Sequence, residues 1–220
     1  IVFVPVGINY DRVLEDRNLI GELRPNKKKM SKVGMLSRVL KISFSNIHKF
    51  SRGEIKKNGI ASLRFGDPIS FDAWQKGSAP DLFDLDKYSR RARLAEFVND
   101  LHAAIARQIP VTPLTLVASV FHEHPQLTRD ALVTQLEVYL QRFKDSGATV
   151  TYCEKGMSWI ADGALLRLGI RKIIRKGDET YRVTDDSKDL IAYYAKSVSH
   201  HLGDTVPLCQ IPDYAAKTSS

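Results

Sequence analysis

The chain opens on an unbroken apolar run, Ile1-Val2-Phe3-Val4-Pro5-Val6. β-Branched and aromatic residues without polar alternation suit a strand covered on both faces, as in a parallel or mixed sheet. Pro5 has no N–H to give to a ladder, so it belongs near the strand's end or at an edge. Asn9-Tyr10-Asp11-Arg12 follows, where α/β sheets commonly carry ligand-facing loops. Arg24 to Lys29, with Pro25 and Asn26, reads as an exposed loop. Apolar spacing of three and four then appears at Leu36, Val39, Leu40, Phe44, Ile47 and Phe50, which predicts a helix over 31–50 with one face on the sheet. Gly59 opens a second strand, Ile60 to Phe65, and Gly66-Asp67-Pro68 closes it. Strand, basic loop, helix and strand read together as one β-α-β unit.

The pattern changes after residue 70. Phe71 to Asp86 is mixed, with Gly77-Ser78-Ala79-Pro80 as a connection. Leu94, Phe97, Val98, Leu101 and Ile105 predict a helix over 91–108 that stops at Pro110, and a short apolar helix over 114–122 comes next. Thr128 is placed to cap a helix whose inner face is Leu132, Val133, Leu136, Tyr139, Leu140 and Phe143, with Gly147 at its C-terminal turn. A helix over 158–168 ends near Gly169, residues 170–174 and 180–183 form a small hairpin around Lys176-Gly177-Asp178, and a last helix runs from Ser187 to His201. The expected architecture is an α/β piece over 1–75, a mainly helical, winged-helix-like domain with a small β-hairpin over 88–202, and a tail over 203–220.

Composition adds that this is folded protein: 43% of residues are apolar and 26% charged, and nine Phe, eight Tyr and two Trp supply large core side chains. The net charge of +8 favours an anionic partner, whether a lipid headgroup surface, nucleic acid or a phosphorylated substrate. Cys153 and Cys209 lie far apart without metal-ligand spacing, so neither a disulfide framework nor a zinc site is expected, and a reducing compartment fits. The pairs His122/His124 and His200/His201 are too few ligands for a metal, and read as surface or packing residues. Arg24, Lys27, Lys28 and Lys29 read as a solvated loop, with anionic lipid as the alternative contact. No apolar run approaches the roughly 20 residues of a membrane span. Ile1 stands inside an apolar run, so the chain is expected to be a piece of a longer protein that starts within a strand.

The words Val4-Pro5-Val6-Gly7-Ile8-Asn9-Tyr10-Asp11-Arg12-Val13 resemble the fourth conserved block of the glycerol-3-phosphate acyltransferases. Leu63-Arg64-Phe65-Gly66-Asp67-Pro68-Ile69 is similar to the Phe-Gly-x-Pro-type turn that ends the family's next strand. Leu127 to Leu132 and Ala192 to Leu202 are similar to the helical region of the family's long members. The resemblance is sharp at the start and diffuse after residue 70. It implies acyl transfer from acyl-CoA or acyl carrier protein to the sn-1 hydroxyl of glycerol 3-phosphate, giving lysophosphatidic acid, with no cofactor beyond the acyl donor. It also implies a peripheral position at the cytoplasmic face of a membrane, against an anionic surface. Val4, Pro5 and Val6 would lie on the acyl-donor side, and Tyr10, Asp11 and Arg12 along the sheet's functional edge, although Asp11 and Arg12 read equally well as a local ion pair.

In that family a His in a His-x-x-x-x-Asp motif is the general base and the Asp orients it. None of the six His here has Asp five positions on. No catalytic residue is therefore assigned to this chain, and the piece alone is expected to be inactive. Dihydroxyacetone-phosphate acyltransferase is the nearest alternative. A different class is a winged-helix-like nucleic-acid binder over 127–184, with Arg167, Arg171, Lys172, Arg175 and Lys176 as a basic strip, but no aromatic stacking platform accompanies it and nucleic acid is not the expected partner. A non-catalytic interaction segment is the third.

Overall fold

A computed structural model describes residues 1–13, 16–22 and 59–205. The basic loop at 24–29, the helix expected over 31–50, and the tail beyond 205 lie outside the described residues.

The opening run is two short strands rather than one. β1 (Val2–Phe3) and β2 (Val6–Tyr10) are separated by Pro5, as its missing donor requires. β2 pairs antiparallel with β3 (Ala61–Phe65), and Gly66 N–H extends the ladder to Pro5 O at 2.8 Å. β1 pairs antiparallel with β4 (Ile69–Ser70). These small ladders correct the expectation of a parallel β-α-β unit covered on both faces: Ile1, Val2 and Val4 are exposed. Between β2 and β3 lies α1 (Asp16–Glu22).

The segment read as mixed contains α2 (Phe71–Ser78), which starts because the Ser70 hydroxyl accepts from Ala73 N–H. Phe71 and Trp74 then meet Phe97 of α3 (Lys87–Gln108), which also receives the edge of Phe3 at 5.5 Å between ring centroids. This aromatic cluster seats the β1–β4 ladder on α3.

The core lies beyond residue 109. α4 (Pro113–Glu123) is buried from Pro113 to Phe121, as a helix apolar all round must be. Around it pack α5 (Arg129–Asp145), α6 (Met157–Ile170) and α7 (Lys188–Lys196), which turn in Leu132, Leu136, Phe143, Ile160, Leu168 and Ile191. Thr128 caps α5 by accepting from Ala131 N–H, as its position predicts.

Three strands complete this part: β5 (Gln126–Thr128), β6 (Ile174–Lys176) and β7 (Thr180–Val183), all antiparallel in the order β5-β7-β6. The hairpin strand expected over 170–174 starts at Ile174 instead. Ile170 ends α6, and residues 171–173 form its closing turn: Lys172 N–H donates to Gly169 O and Ile173 N–H to Leu168 O, each at 2.9 Å. That double bond is a Schellman turn. It places Lys172 at φ 56°, a left-handed backbone that costs a residue with a Cβ about 1 kcal/mol. α5 closes with the same turn, where Gly147 takes the left-handed position at φ 78°.

Candidate functional site

The two ends of the described chain meet along a seam of carboxylates and guanidinium groups. β2 crosses the C-terminal end of α3 so closely that a Cβ on Gly7 would stand 2.2 Å from the Gln108 carbonyl carbon. Only glycine permits that crossing. Asn9, the next inward residue, donates through Nδ2 to Pro110 O at 2.8 Å.

Asp11 follows, with 1% of its side chain exposed. One oxygen accepts from Leu114 N–H at 3.1 Å and the other from Arg167 of α6 at 3.1 Å. The first turn of α4 is thereby fully satisfied: Pro113 has no N–H, Thr112 and Thr115 cap each other, and Asp11 takes the remaining donor. A carboxylate at a helix N-terminus is also favoured by the helix dipole. Asp11 makes an ion pair across 156 residues with Arg167.

A second buried carboxylate repeats the design five residues on. Asp16 accepts from the Tyr194 hydroxyl and from Arg171, both at 2.5 Å, and Tyr194 in turn accepts from Val13 N–H at 3.2 Å. Burial, reinforced by the bond to Asp16, pushes the Tyr194 phenol up to about 12, so it stays a proton donor. Burial works against the Arg171 charge, but its bonds to Asp16 and Tyr194 win and its pKa is raised.

The basic strip over 167–176 therefore divides. Arg167 and Arg171 face inward and are neutralised by Asp11 and Asp16. Lys172, Arg175 and Lys176 remain outside and, with Arg17 of α1, line an open cleft of about 720 Å³ over Ile174 and Leu190. The spacing of the two arginines, four apart on one helix face, and of the two aspartates, five apart, was the available signal for the seam.

Of the residues placed by resemblance, Pro5 and Asp11 are buried, Val6 is half-buried, and Val4, Tyr10 and Arg12 are exposed. Val6, Ile8 and Tyr10 stand opposite Phe65, Leu63 and Ala61 on one face of the β2–β3 ladder, and that face looks outward: Ile8 is 46% exposed, Leu63 54% and Phe65 64%. The polar and small residues Gly7, Asn9, Ser62 and Arg64 look inward, and Arg64 bonds to Thr149. The histidine pair serves packing: His200 and His201 use Nε2 on Ala106 O and Ile109 O, each at 2.8 Å. Among the described residues no group of three or more His, Cys, Asp or Glu is placed to hold a metal ion. No helix of the described residues is long and apolar enough to cross a membrane.

A helical bundle that grips a two-stranded antiparallel ladder through buried ion pairs defines the class: a mostly helical region with small antiparallel sheets. The sequence family described as "Glycerol-3-phosphate acyltransferase C-terminal region" matches residues 43–205. Relatives named glycerol-3-phosphate acyltransferase include one from Ectopseudomonas mendocina (strain ymp), 30% identical over 217 residues covering 91% of this chain and 24% of the relative. Another, from Pseudomonas fluorescens (strain SBW25), is 33% identical over 149 residues, 64% of this chain and 16% of the relative. A third, from Glaesserella parasuis serovar 5 (strain SH0165), is 27% identical over 216 residues, 91% of this chain and 25% of the relative. The chain belongs to the glycerol-3-phosphate acyltransferase family, within its C-terminal region. It spans no more than a quarter of the length of these relatives.

Proposed function

We propose that this chain is the closing edge of an acyltransferase sheet, over 1–75, together with the helical region that stabilises it, over 88–202. The whole enzyme would transfer an acyl chain from acyl-CoA or acyl carrier protein to the sn-1 hydroxyl of glycerol 3-phosphate. In that reaction the hydroxyl oxygen bonds to the thioester carbonyl carbon, a base takes its proton, and the thiol leaves with a proton. The base and its Asp partner belong upstream of Ile1 in this reading. The product, lysophosphatidic acid, would be released at the cytoplasmic face of a membrane, where the enzyme sits peripherally against anionic lipid.

The observation that carries this reading is the reversed polarity of the β2–β3 ladder. Apolar residues face out and small or polar ones face in, which suits a strand pair with a further apolar layer on its outer side. Val4, Val6 and Tyr10 stand on the side toward that layer and the acyl donor. Asp11, fixed by Leu114 N–H and Arg167, is a positioning residue for the loop.

The test is acyl transfer by the protein extended upstream through a His-x-x-x-x-Asp block, set against the 220-residue chain. The extended protein is expected to acylate glycerol 3-phosphate and the chain alone to be inactive. Activity in the chain alone, or a clear preference of the extended protein for dihydroxyacetone phosphate, would overturn the assignment.

One observation favours a second reading. The order α4, β5, α5, α6, β6, β7, with β5 against β7, is winged-helix-like, and such modules bind nucleic acid. The helix that would enter a groove, α6, instead exposes Trp159, Leu166, Ile170 and Asp162, while Arg167 is committed to Asp11. A face of that kind suits packing better than phosphate contact. Retention on duplex DNA at low salt is expected to be absent, and salt-sensitive retention would favour the second reading.

A further inference from the structure

The cleft between α1, the end of α6, the edge strand β6 and the start of α7 is not used by the seam. Among the described residues its lining carries Arg17, Lys172, Arg175 and Lys176 with the carboxylate of Asp186, and Asp185 lies within electrostatic reach of Arg175. Cations gathered from three separate elements repel one another unless an anion lies between them. Arg17 is held in place because its guanidinium donates to Arg171 O at 2.6 Å, and Lys176 lies over the Tyr181 ring at 6.0 Å. Beneath them, Ile174 and Leu190 are almost fully buried and give the cleft an apolar floor.

Two further features bear on the cleft. Arg175 stands directly opposite Arg182 in the β6–β7 ladder, a like-charge cross-strand pair within electrostatic reach of Asp185, which is itself bonded to Lys188. Lys172 occupies the left-handed position of a Schellman turn, where the equivalent turn at the end of α5 has Gly147. A lysine in the place that suits glycine, aimed into a cationic cleft, is explained by a ligand rather than by stability.

We infer that this cleft is a binding site for a phosphate-bearing ligand, with the phosphate between Lys172, Arg175 and Arg17 and an apolar or ring-bearing portion over Ile174 and Leu190. Two sources share that chemistry: a soluble nucleotide bisphosphate, such as the phosphorylated half of a CoA donor, and the headgroup of an anionic phospholipid. The choice of these probes rests on the acyltransferase reading. The site itself does not, and because the readout is binding, a failed site and a failed activity are separate results.

The experiment titrates the 220-residue chain with adenosine 3′,5′-bisphosphate and with inorganic phosphate by calorimetry, and measures its sedimentation with phosphatidylcholine vesicles with and without phosphatidic acid. Each is repeated for Lys172→Gly and Arg175→Gln. Lys172→Gly removes the charge while relieving the left-handed backbone, so its thermal midpoint is expected to be unchanged or higher and folding failure does not confound it. Expected is saturable binding of one probe that weakens at least tenfold in both variants. Bisphosphate binding without vesicle binding assigns the soluble source, and phosphatidic acid-dependent sedimentation without bisphosphate binding assigns the lipid. Binding of neither probe, or equal binding by wild type and variants, overturns the proposal.

Discussion

The β2–β3 ladder and the helical core obey the same physical rule with opposite sign. In the core, Leu136 and Phe143 of α5 point inward while Glu137 and Lys144 face water. In the ladder, Ile8, Leu63 and Phe65 face outward and Gly7, Asn9 and Arg64 face the helices. The core is held by buried apolar area, whereas the ladder is held by backbone proximity, an amide–carbonyl bond and buried ion pairs. The difference teaches that the ladder's apolar side chains are not what fixes it to this part of the molecule. Their role lies on the other side.

The comparison is most directly broken at the seam. Asp16→Ala leaves Arg171 and the Tyr194 hydroxyl without their buried partner, and removing one member of such a pair is expected to cost about 3–5 kcal/mol in denaturant unfolding. A loss under about 1 kcal/mol would mean that the seam is not what joins the two regions. Leu136→Ala, in the core, is expected to cost about 2–5 kcal/mol through lost burial and the cavity left behind. Gly7→Ala puts a methyl into the Gln108 backbone and is expected to cost about 1–3 kcal/mol, with loosened protection of the Asn9 side-chain amide as its local sign in NMR.

Acid should act at the join as well. Burial, aided by the charges of His200 and Arg64, lowers the His201 pKa below its usual 6.5 despite the bond to Ile109. The folded state thus takes up a proton less readily than the unfolded one. Its stability contribution is complete above about pH 6.5 and falls as the pH drops below that value. His201→Gln should flatten this part of a thermal-midpoint profile; an unchanged slope would assign it to another group. The smallest effect is expected for Phe65→Ser: within about 0.5 kcal/mol in this chain, since the side chain is exposed. The same substitution in the longer protein should destabilise it by about 2 kcal/mol or more if an upstream layer covers this face.

The helices after residue 87 were legible because each carries its own signals: the 3.6 periodicity of α3 and α5, Thr128 as a cap, Pro110 as a stop. β5 was not, because the alternation of only three residues, Gln126-Leu127-Thr128, is too short to establish a period, and they pair with β7 over fifty positions away. The strand expected at 170 failed for a related reason. Ile170 and Ile173 favour extended chain locally, but Gly169 is not the turn's left-handed residue; Lys172 is. The opening words pointed to the family most sharply, yet the family match falls on 43–205, which takes in the Leu63–Ile69 words but lies mostly beyond residue 70, where the resemblance was diffuse. Short conserved words are easy to read by eye, while a bundle's identity is spread thinly over many packing positions. Asp11 stood among the candidate residues, but its partner Arg167 was read as part of an outward basic strip. No local pattern tells an inward arginine from an outward one.

The seam also sets an order in time. Asp11 and Asp16 are synthesised about 155 residues before Arg167 and Arg171, separations that close only when α6 has been made. At ribosomal rates of about 5–20 residues per second, the two aspartates wait roughly 8–30 s for their partners. Through that interval the two carboxylates stand uncompensated and the inward face of β2, at Gly7 and Asn9, lacks its finished helical cover, an unfinished surface of the kind that chaperones hold. A ribosome-stalled nascent chain ending before residue 167 should accordingly hold chaperone, and one extended well beyond Tyr194 should release it.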